Sequence, residues 1–432
     1  MFGGKASKAN RMCKSKSAIA TSDPTHPRGE RARNQQRSSS SSFPASFSYS
    51  SSTSTGTGTG TATGGRGSSS ATSLALLRDS LPELPLLFTY HDLAAATSNF
   101  SSSHRLVSSN SAGSNSFRCS LRGHPAAVFR RPLRRDAREV SARLAVLGHC
   151  HHAAIARLLG AAASPDRTTL FLAYELVPDA APLSTLLRNP KNPSFTPLAT
   201  WRCRLQVVAD VCDALHYVHL QADTVHNRLS ASSVLVYGGE PLFRAKIAHF
   251  GAADLAGELP PPSPPSEDDD EVEKGDAFRR SGSRGRRIEG TRGYMAPELI
   301  AGDPPSRRSD VFALGVVLLE LVSGKEPVRY EVRPNGEYER TSLIEAAEAV
   351  AAEGGGGEAM RRWVDRRLKD SFPVEAAESL TALALRCVAK NPQSRPDMSW
   401  VAAKVSKIFL EAQEWAAKFR MPTDISVSIA PR

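Results

Sequence analysis

Between Trp201 and His219 the apolar positions Leu205, Val208, Cys212, Leu215 and Val218 recur at intervals of three and four. That spacing lines one face of an α-helix. Val311 to Leu321, VFALGVVLLEL, is apolar nearly all round yet too short to cross a bilayer, which predicts a helix sunk in a large core. Asp136 to Leu147 carries a third helical pattern, following Pro132. Thr169 to Val177, TLFLAYELV, is a β-branched and aromatic run suited to a buried strand. From Phe88 to about Leu133 the chain reads as polar loops and short strands. These periods predict an α+β fold with a small strand-rich lobe followed by a larger helical one.

The 432 residues exceed one average domain, and their composition divides them. Residues 1–80 hold eleven Lys and Arg against Asp23, Glu30 and Asp79, eight of the chain's eleven net positive charges. The same segment carries the Ser38–Ser42 run and a Gly/Thr alternation from Thr55 to Gly65, too little apolar surface to offset the entropy of ordering. It is expected to be a disordered basic tail, and because the rest is close to neutral, nucleic-acid binding by the folded part is not expected. The Arg- and Ser-rich, acid-poor tail also matches an organelle transit peptide, an alternative to a cytoplasmic location. No apolar run reaches the ~18 residues of a membrane helix, and Met1-Phe2 lacks the glycine that myristoylation needs. Cys13 beside Arg11, Lys14 and Lys16 leaves peripheral association with the inner face of the plasma membrane open. The remaining cysteines, Cys119, Cys150, Cys203, Cys212 and Cys387, show neither paired zinc spacing nor a disulfide framework. The run His149-Cys150-His151-His152 cannot converge tetrahedrally on one ion without contorting the backbone, so no metal site is expected.

Several ordered motifs carry a resemblance. FTYHDLAAATSNF (Phe88 to Phe100), GTRGYMAPE (Gly290 to Glu298), SDVFALGVVLLEL (Ser309 to Leu321) and Arg395-Pro396 resemble segments of plant receptor-like kinases. LRGHPAAVFRR (Leu121 to Arg131) and AKIAHFGAADL (Ala245 to Leu255) are most similar to the intracellular kinase domains of lysin-motif receptor kinases. The resemblance implies a two-lobed protein kinase fold over residues 88–412, with an N-lobe at about 88–175 and a C-lobe at about 176–412. A long activation-segment insertion would fall at about 257–289 and a C-terminal tail at 413–432.

Carried across position by position, the resemblance implies that the parts for phosphoryl transfer are missing. The three glycines that would let backbone N–H groups lie against phosphates fall on Ser109, Ser111 and Ser114, with Gly113 nearby. Phe129 stands at the phosphate-holding lysine. Arg130 could replace it only through a bulge, since one residue's offset turns the side chain to the other face of a strand. Arg143 stands at the partner glutamate, with Glu139 a turn earlier a poor substitute. In VHNRLSASSVLV (Val225 to Val236) the general base is Arg228, the following lysine Ser230 and the metal-binding asparagine Ser233. Arginine accepts no proton at neutral pH. His249 replaces the carboxylate that would hold Mg²⁺, an ion that prefers hard oxygen ligands. No Lys lies between Lys16 and Lys191, and no acid between Asp223 and Glu240, to supply these groups from elsewhere nearby.

Other positions match. His226, Phe250 and Leu147 fit the apolar spine that links the lobes, Asp310 the residue that bonds the catalytic-loop backbone, and Glu298 with Arg395 a buried ion pair. Ala127 and Leu235 fit the adenine sandwich and Glu175 begins the hinge, so weak ATP binding without Mg²⁺ is an expectation, with no cofactor required and Phe129 as its rival for the cleft. Ser281 and Ser283, among arginines beyond the acidic run Glu267 to Glu273, are candidate phosphosites in a mobile loop. The expected function is that of a pseudokinase, a scaffold or allosteric partner of an active receptor-like kinase in plant signalling. The alternative is a divergent serine/threonine kinase with residual ATP-dependent transfer.

Overall fold

A computed structural model describes residues 85–106, 116–240, 242–259, 290–332, 338–353 and 357–419. The tail, the serines at 109, 111 and 114, and Ser281 and Ser283 lie outside the described residues.

The first lobe is a five-stranded sheet in the order β1-β4-β5-β3-β2, made of β1 (Leu86–Leu87), β2 (Ser116–Leu121), β3 (His124–Pro132), β4 (Leu158–Ala163) and β5 (Thr169–Glu175). The edge strand β1 runs parallel to β4 and starts the lobe two residues before the expected boundary at 88. Helix α1 (Tyr90–Ala96) was not foreseen in a segment read as loops and strands. Its signal is a capping box in which Thr89 and Asp92 satisfy each other's backbone N–H groups. Phe100, just beyond it, stacks on Phe171 of β5 at 4.8 Å and closes a small apolar cluster on that face of the sheet. Helix α2 (Ala137–Leu147), capped by Asp136, buries Val140, Leu144 and Leu147.

The second lobe opens with β6 (Ala181–Pro182), α3 (Leu183–Leu187) and the long helix α4 (Trp201–Leu220), whose buried face is the one its periodicity predicts. Strands β7 (Val234–Gly239) and β8 (Leu242–Ile247) pair with β6 into a three-stranded sheet. Short helices α5 (Ala252–Ala256) and α6 (Pro297–Ala301) flank the undescribed part of the activation segment. Helix α7 (Arg307–Ser323) is buried from Ser309 to Ser323, as its all-round apolarity requires. The hairpin β9 (Val328–Val332) and β10 (Tyr338–Ser342) and helices α8 (Leu343–Ala352), α9 (Gly357–Trp363) and α10 (Val374–Cys387) complete the lobe with α11 (Met398–Phe419). Helix α11 continues past residue 412 into the segment read as a tail, because Ala412 still packs in the core. The arrangement is the two-lobed α+β fold that the sequence implies. Among the described residues no helix is long and apolar enough to cross a membrane.

Candidate functional site

Strand β3 fixes the upper wall. Its register with β5 runs unbroken from Ala126↔Glu175 to Pro132↔Thr169. With no bulge, Arg130 stays on the exposed face and does not enter the site. The two-residue period instead puts Phe129 and Arg131 on the inner face together. The Phe129 ring meets His249 edge-on at 4.2 Å and Tyr174 at 6.0 Å, so three aromatic rings fill the region between β3, β5 and the loop after β8. Burial pushes the His249 imidazole well below its ordinary value, with Arg131, His226 and Arg228 adding to the effect, so it is neutral. Its Nδ1 is buried without a hydrogen-bond partner among the described residues. Tyr174 donates its hydroxyl to the Phe250 carbonyl at 2.8 Å, the partner a buried tyrosine needs.

The charged half of the site is gathered by a residue that sequence reasoning missed. Glu258, just after α5, accepts from Arg131 Nη1 at 2.9 and 3.1 Å, from Arg228 Nη2 at 3.0 Å and from Asn227 Nδ2 at 3.1 Å. Its side chain is 5% exposed and that of Arg131 8%, so this pairing is largely shielded from solvent. Desolvation lowers the Arg131 pKa and the Glu258 charge opposes the change; the guanidinium stays protonated. A second acid, Asp254 of α5, receives Arg135 at 3.4 Å and lies 3.6 Å from Arg143. Arg143 thus pairs across to α5, while Glu139 is exposed and, among the described residues, meets only Arg135, at 3.2 Å. Residues 257–258, expected within the loop insertion, are instead fixed against the first lobe. Gly257 makes this possible: at φ +76° a Cβ would lie 3.2 Å from Arg135 Cβ and 3.3 Å from the Arg134 backbone. The backbone N–H of Arg134 donates to the Ala256 carbonyl at 3.0 Å.

Beneath the site, Asp310 of α7 accepts from the backbone N–H of His226 at 2.6 Å and of Asn227 at 2.8 Å, and from His219 Nε2 at 3.0 Å. These bonds hold Asn227 at φ +64°, a conformation rare outside glycine. His226 donates Nε2–H to the Ala248 carbonyl at 2.9 Å. It is buried with Phe250 and Leu147, and a Cβ on Gly251 would lie 2.7 Å from Leu147. Arg395 grips Glu298 with its two terminal guanidinium nitrogens, Nη1 at 2.6 Å and Nη2 at 2.8 Å. Ser233 and Ser230 bond one another, the Ser233 hydroxyl accepting from Ser230 N–H and donating to its carbonyl.

These residues do not fit a magnesium ion. Arg228, Ser233 and His249 offer no carboxylate, and the two acids within reach, Glu258 and Asp254, are held by arginines. Ala127, opposite Tyr174 on β5, is buried, and Leu235, opposite Lys246, is half-buried. The Glu175 carboxylate is bound to Lys246 Nζ at 2.5 Å.

A strand-rich lobe over a helical one, with an aspartate from a buried helix holding the loop at 226–227 and an Arg–Glu fork behind the segment at 290–298, defines a protein kinase fold. The chain belongs to the protein kinase domain family, whose sequence pattern matches residues 130–405. Among characterised proteins it is similar to LysM domain receptor-like kinase 3 of Arabidopsis thaliana, 33% identical over 341 residues, covering 78% of this chain and 48% of that protein. It is also similar to Chitin elicitor receptor kinase 1 of the same plant, 30% identical over 330 residues, covering 76% and 47% respectively. Protein LYK5 of Arabidopsis thaliana is 29% identical over 331 residues, covering 76% and 44%. The chain therefore spans about half the length of the relatives it matches.

Proposed function

We propose that this chain is a pseudokinase that works by binding an active receptor-like kinase of the lysin-motif class, as scaffold or allosteric partner. The observation that carries the reading is the placement of Glu258: a carboxylate of the chain's own activation segment sits between Arg131 and Arg228. Arg228 stands where the family places its general base. Loss of a general base alone costs roughly 10²–10⁴ in rate, and here the lysine and the metal ligands are absent together with it. Phe129 and His249 add to the obstruction by packing on one another. A nucleotide would have to bind weakly, without metal, against Ala127 and Leu235. The relatives' names support a role in receptor kinase signalling, and a cytoplasmic site at the inner face of the plasma membrane fits such a partner.

Intact-mass analysis tests this directly. The full chain is incubated with ATP and Mg²⁺ or Mn²⁺, with and without a generic substrate, beside an Arg228→Ala variant that controls for contaminating kinase. No added phosphate is expected on chain or substrate. A gain of phosphate that the variant abolishes would overturn the reading in favour of a divergent kinase.

A further inference from the structure

A cavity of about 310 Å³ lies in the angle between the loop after α2, the end of β5 and strand β8. Of the site's residues only Phe250 and Glu175 reach it. Its apolar walls are Ile155, Leu158 and Phe250, and its charged groups are Arg157, Lys246 and Glu175. Lys246 and Glu175 neutralise each other at 2.5 Å. Arg157 differs from them. Its side chain forms no hydrogen bond or ion pair among the described residues. A guanidinium without a counter-ion beside apolar walls is open to an oxyanion, and charge-assisted bonds to guanidinium are the strong ones. Ligand sites combine such apolar walls with a few polar groups in volumes of about 300–1,000 Å³, so this cavity suits one or two rings rather than a nucleotide.

We infer that this cavity is a binding site for a small aromatic anion, its ring body against Ile155, Leu158 and Phe250 and its carboxylate or sulfonate on Arg157. The site is independent of whether the catalytic centre is active. Two residues at its rim make the inference testable. The Cys150 thiol lines the cavity and is partly exposed, whereas Cys119, Cys203, Cys212 and Cys387 are buried. Burial raises the Cys150 pKa, so its modification is followed at mildly alkaline pH. Ala153 also lines the cavity and is exposed, so a larger residue there fills space without disturbing the core.

The experiment follows alkylation of Cys150 by N-ethylmaleimide on the full chain by peptide mass spectrometry, with Cys13 as the internal rate standard. The probes are 1-naphthoate and its neutral counterpart 1-naphthamide. Naphthoate is expected to slow Cys150 alkylation at least about fivefold while Cys13 is unchanged, with naphthamide protecting about tenfold more weakly at equal concentration. Arg157→Met should remove the preference for the anion, and Ala153→Trp, which does not depend on the arginine, should abolish protection by both probes. Absence of protection by naphthoate, equal protection by the two probes, or protection that survives Ala153→Trp would each overturn the inference.

Discussion

The cleft and the floor beneath it both bury charge, and they use it differently. In the floor, the Asp310 carboxylate is bonded to two backbone N–H groups of the loop at 226–227. Arg395 likewise donates to the carbonyls of Ala389 and Arg308 as well as to Glu298. In the cleft, Glu258 and Asp254 are bonded mainly to arginine side chains, so charge is matched with charge across the two lobes. The floor's charges give a loop its shape; the cleft's hold two walls together through arginine–carboxylate pairs.

The contrast can be tested by removing one carboxylate from each region. Asp310→Ala strips three hydrogen bonds from a buried loop and is expected to cost about 4 kcal/mol, or to prevent folding. Urea denaturation measures it, and a loss below about 1 kcal/mol would mean that the floor does not depend on this residue. Glu258→Ala leaves the buried Arg131 without its carboxylate and should cost about 3 kcal/mol. Hydrogen exchange should show the loss concentrated at β3 and residues 252–258, with the loop at 226–227 still protected. Uniform deprotection would erase the distinction drawn between the regions.

A smaller effect comes from pH. The folded pKa values of His226 and His249 are both lowered, chiefly by burial. Below about pH 6.5 the unfolded chain takes up protons that the folded chain refuses, so stability falls as pH falls, with a slope that approaches about 1.4 kcal/mol per unit for a histidine held neutral throughout. Glu320 acts in the opposite sense. Burial raises its pKa to about 7, so its contribution rises as pH falls from there toward the ordinary carboxylate range. The difference between wild type and His249→Gln isolates the cleft: the variant should lose about 1 kcal/mol less between pH 6.5 and 5.5. Parallel stability profiles would mean that this imidazole is not held neutral.

The division between the lobes was legible because it rests on local periods. The run at Val311 to Leu321 and the spacing at Leu205 to Val218 state burial within a single element. Phe129 was singled out through the family resemblance and not through a local period, and the alternation that excludes Arg130 also places Arg131 on the same face as Phe129. Tyr174 lay within the run read as a strand, and its hydroxyl signalled a buried partner. Glu258 had no such signal. Its partners stand 127 and 30 positions away, and which acid meets which arginine is decided by how the chain returns after β8. Helix α1 was missed because seven residues carry too little periodicity, although its capping pair was visible.

The Glu258 cluster also bears on evolutionary reversibility. Returning an aspartate to position 228 would set it against the carboxylate that Arg228 now meets at 3.0 Å, like charge against like. A lysine at position 129 would bring a cation onto the strand face that holds Arg131, into a wall now made of aromatic rings. A carboxylate at 249 alone would replace a neutral group among rings with a charge. On the pseudokinase reading proposed above, each single step toward the catalytic residues of the family is opposed by the interactions now present, so several positions would have to change together.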